Sequence, residues 1–154
     1  MDFNIEIDDL SDGVIAHLLN VHWQQMQKYS PEESIHAIDV KQLQRSTLVF
    51  WGARNDGKLA GCGALQQLSP VSGELKSMKT NVEYLRQGVA QQLLTAITDE
   101  ARSRGYDTLY LETGSHDAFK PAIAMYEKHG FDACSAFGDY QEDPHSRFFK
   151  KQLK

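Results

Sequence analysis

Residues 74–90 constrain the fold more than any other part of the sequence, because a strand-like pattern changes there into a helical one. Apolar and polar residues mix over residues 75–82 as in a half-buried strand, whereas the apolar residues that follow recur at the three- and four-residue spacing of a helix face. These helical positions are Val89, Leu93, Leu94, Ile97 and Ala101. The sequence therefore predicts a strand followed closely by a helix, with the change near Gly88.

The predicted junction has the properties of an anion-binding site. A helix that begins near Gly88 leaves the backbone amides of about residues 86–91 without intrahelical partners, and the helix dipole adds partial positive charge there. Gly88 has no side chain and Ala90 has a very small one, so a bulky phosphate can approach the backbone. The sequence thus predicts a pyrophosphate site formed by Arg86, Gln87, Gly88, Val89, Ala90 and Gln91.

Two common nucleotide-binding motifs do not fit this junction. It lacks the Gly-Lys-Ser/Thr ending of a P-loop and the third small residue of a dinucleotide-binding turn. A Gly-x-Ala turn is weak evidence when taken alone, since many helices begin near a glycine and bind nothing. ATPase and dehydrogenase activities are therefore disfavoured, and a different coenzyme is indicated.

Length and composition indicate a single globular domain over residues 1–154. The chain is 41% hydrophobic and 24% charged, which is typical of a soluble globular protein. A formal net charge of −5 disfavours a nucleic-acid partner, which usually needs a basic surface, and permits a cationic substrate. Because the sequence contains neither a signal-peptide pattern nor an apolar run long enough to span a membrane, we expect a cytoplasmic protein without a membrane partner.

The cysteines and histidines do not predict a metal site. Cys62 and Cys134 lie far apart and match no metal-binding spacing. The six histidines include no His-Glu-x-x-His pair, and His17 and His22 are five positions apart, so they do not share a helix face. We therefore expect reduced thiols and no bound metal.

The order of predicted elements indicates a mixed α/β fold with a central sheet of six to seven strands and about four helices. Strands are predicted near residues 3–7, 47–53, 59–68, 75–82, 108–113, 131–137 and 146–152, and helices near 11–29, 33–43, 88–104 and 120–129. A strand, helix, strand order makes the fourth and fifth strands parallel neighbours with a right-handed crossover. Ligands of such sheets bind in the crevice beyond the carboxyl ends of these strands.

Two motifs in this order resemble those of the GNAT superfamily of acetyl-CoA-dependent N-acetyltransferases, over nearly the whole chain. The family turn, Gln/Arg-x-x-Gly-x-Gly/Ala, corresponds to residues 85–90, and the later signature, Ala-x-x-x-Tyr-x-x-x-Gly-Phe, corresponds to residues 122–131. Leu85 stands where the family usually has Gln or Arg. The turn acts mainly through backbone amides, so the change should weaken coenzyme binding without abolishing it. The wider pattern is similar to a small single-domain bacterial branch.

The resemblance implies acetyl-CoA as the acetyl donor and suggests where it binds. Pantetheine is expected along Met78, Lys79 and Thr80, and the hydroxyl of Tyr126 is expected near the coenzyme sulfur, where it can give a proton to the departing thiolate. Glu74 lies fourteen residues before Gly88, which matches the spacing of a general-base glutamate in the family. The alternatives are a core aromatic role for Tyr126 and an exposed carboxylate at Glu74.

The acceptor substrate is less well defined by the sequence. Glu112 and His116 follow at the carboxyl end of the fifth strand, and His36 lies in a segment that could cover a cleft, so all three are candidate substrate-binding residues. We expect an N-acetyltransferase that acts on the primary amine of a small molecule by direct attack in a ternary complex. A noncatalytic acyl-CoA-binding sensor on the same fold is the alternative. A homodimer stays open, because the final strands often mediate pairing in relatives.

Overall fold

The computed structural model describes residues 2–26 and 47–154, and within the first segment it describes side chains only as far as Val21. These residues form one seven-stranded sheet in the order β1-β2-β3-β4-β5-β7-β6. The strands are β1 (Asn4–Asp8), β2 (Val49–Asn55), β3 (Lys58–Ser69), β4 (Ser72–Thr80), β5 (Thr108–Gly114), β6 (Asp132–Cys134) and β7 (Ser146–Gln152). The mixed α/β architecture expected from the sequence is confirmed.

Three α-helices accompany the sheet in the described segments. They are α1 (Val14–Met26), α2 (Val89–Ser103) and α3 (Lys120–Lys128), and short 3-10 turns lie at Val82–Tyr84 and Asp117–Phe119. The fourth helix, predicted near residues 33–43, and the candidate residue His36 lie outside the described residues. Among the described helices, none has the length and apolar character needed to cross a lipid bilayer.

The parallel contact between β4 and β5 is confirmed, and it is short. Ser72–Leu75 pairs with Thr108–Leu111, and no further pairs join these two strands of the described chain. The other contacts in the sheet are antiparallel. Because the pairing ends at Leu75 and Leu111, the following residues of β4 and β5 border a crevice between the strands.

A bulge in β4 lies on the side of this crevice. Its pairing with β3 changes from Ala64 opposite Lys76 to Cys62 opposite Lys79, and Ser77 adopts a positive φ of +55°. A Cβ atom on Gly63 would lie 2.4 Å from Met78 Sδ, so this position accepts only glycine without local movement. The side chain of Met78 therefore packs directly on the backbone of Gly63.

The sheet has a different apolar core on each face. On one face α2 and α3 pack over a cluster that includes Leu75, Leu111, Tyr126 and Phe131. On the other face α1 contributes Ile15 and Leu18 to a smaller cluster with Phe50 and Cys62. Since neighbouring strand residues point to opposite faces, Glu74 and Glu112 lie on the α1 face.

One predicted strand is shorter than expected. The alternation over residues 131–137 predicts a strand of that length, whereas β6 spans only Asp132–Cys134. The chain leaves the sheet because Phe137 packs against Tyr110 and Phe148, with ring centroids 4.8 Å and 5.7 Å away. The same departure starts the loop of residues 135–145, which we call the roof loop.

Candidate active site

The N-terminus of α2 presents free backbone amides to solvent. Gly88 is the N-cap residue in the left-handed conformation, with φ of +88°, and no side chain caps the helix. The first intrahelical bond runs from Gln92 N–H to the Gly88 carbonyl at 3.1 Å, so the amides of Val89, Ala90 and Gln91 have no partner one turn earlier. This is the arrangement that favours an anion.

The space around Gly88 is open enough for a phosphate group. A Cβ atom built on Gly88 would find only the Gln92 amide nitrogen, at 3.6 Å. Arg86 has a positive φ of +64°, so it and Gly88 bend the chain on either side of Gln87. The side chains of Leu85 and Arg86 are exposed, and Arg86 can add positive charge. The described residues therefore fit the diphosphate of a coenzyme.

A groove of about 1060 Å³ lies on the α1 face of the sheet, between the sheet and the roof loop. We call it the acceptor groove. Its floor is formed by the end of β3, the first half of β4 and Tyr110 of β5, and its roof by the roof loop. The lining residues are Gln66, Gln67, Leu68, Ser72, Glu74, Lys76, Tyr110, Phe137, Gly138, Asp139, Tyr140, Gln141, Glu142 and Asp143.

Glu74 is the buried carboxylate in the floor of this groove. Only 3% of the residue is exposed, and its Oε2 accepts a hydrogen bond of 2.6 Å from the hydroxyl of Tyr140. The Lys76 ammonium lies 3.7 Å from the same oxygen. Burial raises the pKa of Glu74 above its usual value of 4.5, although Lys76 and Tyr140 oppose the change. The exposed carboxylate considered at this position is therefore wrong.

Glu112 lies beside the crevice, one position beyond the last parallel pair. Burial raises its pKa to about 7, and the negative charges of Glu74 and Asp143 act in the same direction. Lys76 and Ser146 lower it, although the buried Ser146 hydroxyl makes no hydrogen bond of normal geometry in the described chain. The α1 face therefore carries two neighbouring carboxyl groups whose affinity for protons is increased.

Tyr126 lies on the opposite face of the sheet, on α3. It is 6% exposed and packs in the same apolar cluster as Val89, the first residue of α2. Its ring makes an edge contact with Phe131 at a centroid distance of 5.8 Å. Burial raises the pKa of Tyr126 above its usual value of 10, so the phenol stays protonated at neutral pH.

The other candidate residues differ in whether they lie near the crevice or the acceptor groove. Met78 lies in the bulge of β4, Lys79 and Thr80 follow it, and burial lowers the pKa of Lys79. His116 is exposed, and its Nδ1 accepts a bond from the Ala118 N–H at 3.0 Å, so it caps a 3-10 turn and does not line the acceptor groove. In the described ranges, no group of three or more potential ligands is placed to hold a metal ion.

Sequence reasoning did not identify Lys76 and Tyr140 as part of this site. Tyr140 is 66 residues from Glu74, in a polar loop that was predicted only to connect two strands. The one local signal was the pair of aromatic residues, Phe137 and Tyr140, within that loop. Their rings contact each other at 5.2 Å.

Comparison with known proteins decides the family. Residues 15–131 match the Acetyltransferase (GNAT) family. The chain belongs to the GNAT acetyltransferases. It is 47% identical to the uncharacterized N-acetyltransferase YsnE of Bacillus subtilis (strain 168), over 97% of this chain and 99% of that protein. It is 44% identical to the uncharacterized N-acetyltransferase YedL of Escherichia coli (strain K12), over 98% and 95% of the two chains.

A solved structure supports the same family. A Klebsiella pneumoniae protein named as an acyl-CoA N-acyltransferase superposes on this GNAT chain with a TM-score of 0.84 and 29% identity, over 99% of this chain and 98% of the other. These relatives identify an N-acetyltransferase, and the family implies acetyl-CoA as the co-substrate. The resemblance inferred from the two sequence motifs is confirmed.

Proposed function

We propose that this protein transfers the acetyl group of acetyl-CoA to the primary amine of a small cationic substrate by direct attack in a ternary complex. Acetyl-CoA would bind from the α2 and α3 face, with its diphosphate on the amides of residues 86–91 and its pantetheine along Met78, Lys79 and Thr80. The amine would enter from the α1 face, through the acceptor groove. Glu74 would act as the general base, and Tyr126 would act at the thioester sulfur.

The observation that carries this proposal is the position of Glu74 and Tyr126 on opposite faces of the sheet, with Glu74 next to the last pair between β4 and β5. Glu74 borders the acceptor groove, whereas Tyr126 packs in the same cluster as Val89 at the start of α2. The parallel pairs end at Leu75 and Leu111, so the crevice can connect the two faces. An amine and a thioester can therefore approach each other from opposite sides.

The proposed reaction begins with an ammonium that must lose a proton. Glu74, or Glu74 through one water molecule, accepts this proton, and the free amine attacks the thioester carbonyl carbon. A carbon–nitrogen bond forms, the attacking nitrogen loses a second proton, the carbon–sulfur bond breaks, and coenzyme A leaves as a thiolate that takes up one proton to become the free thiol. Burial favours this role, because a carboxylate with a raised pKa is a stronger base.

Tyr126 is proposed to stabilise the departing thiolate by donating a hydrogen bond. The usual pKa of a phenol, about 10, already exceeds that of a cysteine thiol, about 8.5, and burial raises the pKa of Tyr126 further. Complete proton transfer to the thiolate is therefore unfavourable, whereas a hydrogen bond from the neutral phenol remains favourable. Acid–base assistance of this kind contributes roughly 10² to 10⁴-fold, and holding the two reactants together contributes about 7–11 kcal/mol. Positioning at the crevice is therefore the larger effect.

The charges of the acceptor groove support a cationic substrate. Among the described residues, its lining contains the acidic residues Glu74, Asp139, Glu142 and Asp143 and one basic residue, Lys76. The rings of Tyr110, Phe137 and Tyr140 add apolar surface and can face a cation. A small amine with an aliphatic chain and a second positive charge fits both properties.

We expect kcat/KM for amines of equal chain length to depend on the charge of the group at the other end of the chain. Cadaverine should give a kcat/KM up to about fivefold above that of n-pentylamine, and δ-aminovalerate should be the poorest of the three, because partly exposed charge pairs contribute up to about 1 kcal/mol. Release of coenzyme A from acetyl-CoA, measured with a thiol reagent, gives the three values. The double variant Asp139→Asn/Glu142→Gln should reduce the difference, whereas Asp99→Asn on the exposed side of α2 should preserve it.

This series also tests the proposed function itself. Acetylation of any of the three amines supports transfer to a primary amine, and equal rates with all three would contradict the proposed cationic preference. A broad amine screen without release of coenzyme A, together with normal binding of acetyl-CoA, would contradict the proposed amine acceptor and favour the acyl-CoA sensor. The two relatives are named as N-acetyltransferases, which favours an enzyme over an acyl-CoA sensor.

The pH dependence should identify the base. If Glu74 must be ionised, kcat/KM falls as the pH decreases through its raised pKa, above 4.5, and Glu74→Gln should lower kcat/KM at neutral pH by about a hundredfold or more. Glu112→Gln should keep this limb near its wild-type position, because the pKa of Glu112 is about 7 and is raised in part by the charge of Glu74, so Glu112 is largely neutral while Glu74 titrates. Loss of the limb in Glu112→Gln, with its retention in Glu74→Gln, would assign the base to Glu112 instead.

A further inference from the structure

The contact between Tyr140 and Glu74 joins the roof of the acceptor groove to its floor. The Tyr140 hydroxyl donates to Glu74 Oε2 at 2.6 Å, although the two residues are 66 positions apart. Lys76 Nζ lies 3.5 Å from the same hydroxyl oxygen and 3.7 Å from the same carboxylate oxygen. Three polar groups from β4 and the roof loop thus meet at one point inside the groove.

The roof loop has internal contacts that fix the position of Tyr140. The Tyr140 N–H donates to the Phe137 carbonyl at 3.1 Å, and the Tyr140 ring packs against Phe137 and Phe148. Farther along the loop, the Ala136 N–H donates to Glu142 Oε1 at 2.7 Å. The phenol is therefore held by packing as well as by its own hydroxyl.

We propose that Tyr140 is the positioning residue for Glu74, so that its hydroxyl orients the carboxylate toward the acceptor groove and couples the roof loop to the reacting group. This inference rests on the proposed function, because it takes Glu74 as the base. Among the described residues, Tyr140 is the group that gives Glu74 a short hydrogen bond from outside its own strand. A hydrogen bond of this kind leaves the second carboxylate oxygen free to face the amine.

The direction of the expected effect follows from the groups around Glu74. In the described side chains these are Lys76 from β4, Tyr110 and Glu112 from β5, and Tyr140 and Asp143 from the roof loop, whereas α1 presents the apolar residues Ile15 and Leu18. The Tyr140 hydrogen bond lowers the pKa of Glu74 and so favours its ionised form against burial. Removal of the hydroxyl should raise the pKa further.

The experiment compares the wild-type protein with Tyr140→Phe, which removes the hydroxyl and keeps the ring. The titration of Glu74 is followed by ¹³C NMR of its carboxyl carbon, assigned with Glu74→Gln, and the acid limb of kcat/KM is measured with cadaverine. We expect both midpoints to rise by about one pH unit, because a hydrogen bond to a charged group is lost. At neutral pH, kcat/KM should fall about threefold to tenfold while the KM for acetyl-CoA changes little.

Tyr110→Phe is the matched control. Tyr110 also lines the groove and packs on Phe137, but the short bond to Glu74 comes from Tyr140. Tyr110→Phe should leave the midpoint of the Glu74 titration unchanged, whatever its effect on substrate affinity. If Tyr140 had only a structural role, Tyr140→Phe would also leave this midpoint unchanged. If the Glu74 midpoint measured by NMR is the same in Tyr140→Phe as in the wild-type protein, the proposal is overturned. It is also overturned if this midpoint rises while the acid limb of kcat/KM stays at the same pH.

The two measurements separate this proposal from the proposed function. If the wild-type protein acetylates no amine, the proposed function fails, and the NMR midpoint still decides whether Tyr140 holds Glu74. If the amines react and the NMR midpoint does not move, the proposed function stands and the role of Tyr140 is rejected.

Discussion

Gly88→Trp should weaken acetyl-CoA binding by about a hundredfold or more in a protein that still folds. Gly88 has φ of +88°, a conformation that costs a residue with a side chain about 1–2 kcal/mol. An indole at this position would also fill the space in front of the amides of Val89, Ala90 and Gln91, which we propose to hold the coenzyme diphosphate. Isothermal titration calorimetry with acetyl-CoA measures the loss.

Gly105 provides a matched control at the other end of α2. It has φ of +82°, and an added Cβ would meet nothing within 4 Å. Gly105→Trp therefore carries a similar backbone cost without blocking the proposed site, and it should bind acetyl-CoA normally. Wild-type affinity in a folded Gly88→Trp protein would refute the proposed diphosphate site.

Tyr126→Phe should lower kcat by about a hundredfold and leave acetyl-CoA affinity nearly unchanged. The substitution removes the hydroxyl proposed to stabilise the thiolate, and it retains the ring that contacts Phe131 at 5.8 Å. The effect should appear in single-turnover experiments, which report the chemical step independently of product release. Affinity for acetyl-CoA, measured by calorimetry, should separate this role from a binding role.

Tyr106→Phe is the control for the loss of a buried phenol. Tyr106 is 3% exposed and belongs to the same apolar cluster, but it packs near Gly73 and has no proposed part in catalysis. Removal of the Tyr106 hydroxyl should leave kcat close to the wild-type value. Unchanged turnover in Tyr126→Phe would exclude Tyr126 from the mechanism and leave it as a core aromatic residue.

The parts of the fold that depend on residues close together in the sequence could be predicted from the sequence. The change of hydrophobic period predicted the start of α2 to within one residue of its observed position at Val89. The Asp56-Gly57 dipeptide is typical of a two-residue hairpin turn, and in the structure Asn55 pairs with Lys58 and both central residues have positive φ. Helical and turn preferences are local, so the sequence around each residue contains most of the information.

The environment of Glu74 could not be predicted in the same way. Its spacing from Gly88 indicated a candidate base, but its burial depends on the roof loop, which returns from residues 135–145 to cover β4. The short length of β6 has the same origin, because Phe137 gains aromatic contacts by leaving the sheet. Long-range contacts of this kind have no local pattern, so the sequence left open whether Glu74 was exposed.

The short contact between β4 and β5 has a consequence for the stability of the molecule. Among the described residues, strand pairing between the four-stranded part and the three-stranded part of the sheet is confined to Ser72–Leu75 and Thr108–Leu111. A co-substrate bound between the two parts would add bonds across this narrow connection, and its binding free energy would contribute to the free energy of unfolding. The donor of the acetyl group would then also serve as a clamp, and the resistance of the enzyme to heat would depend on its concentration.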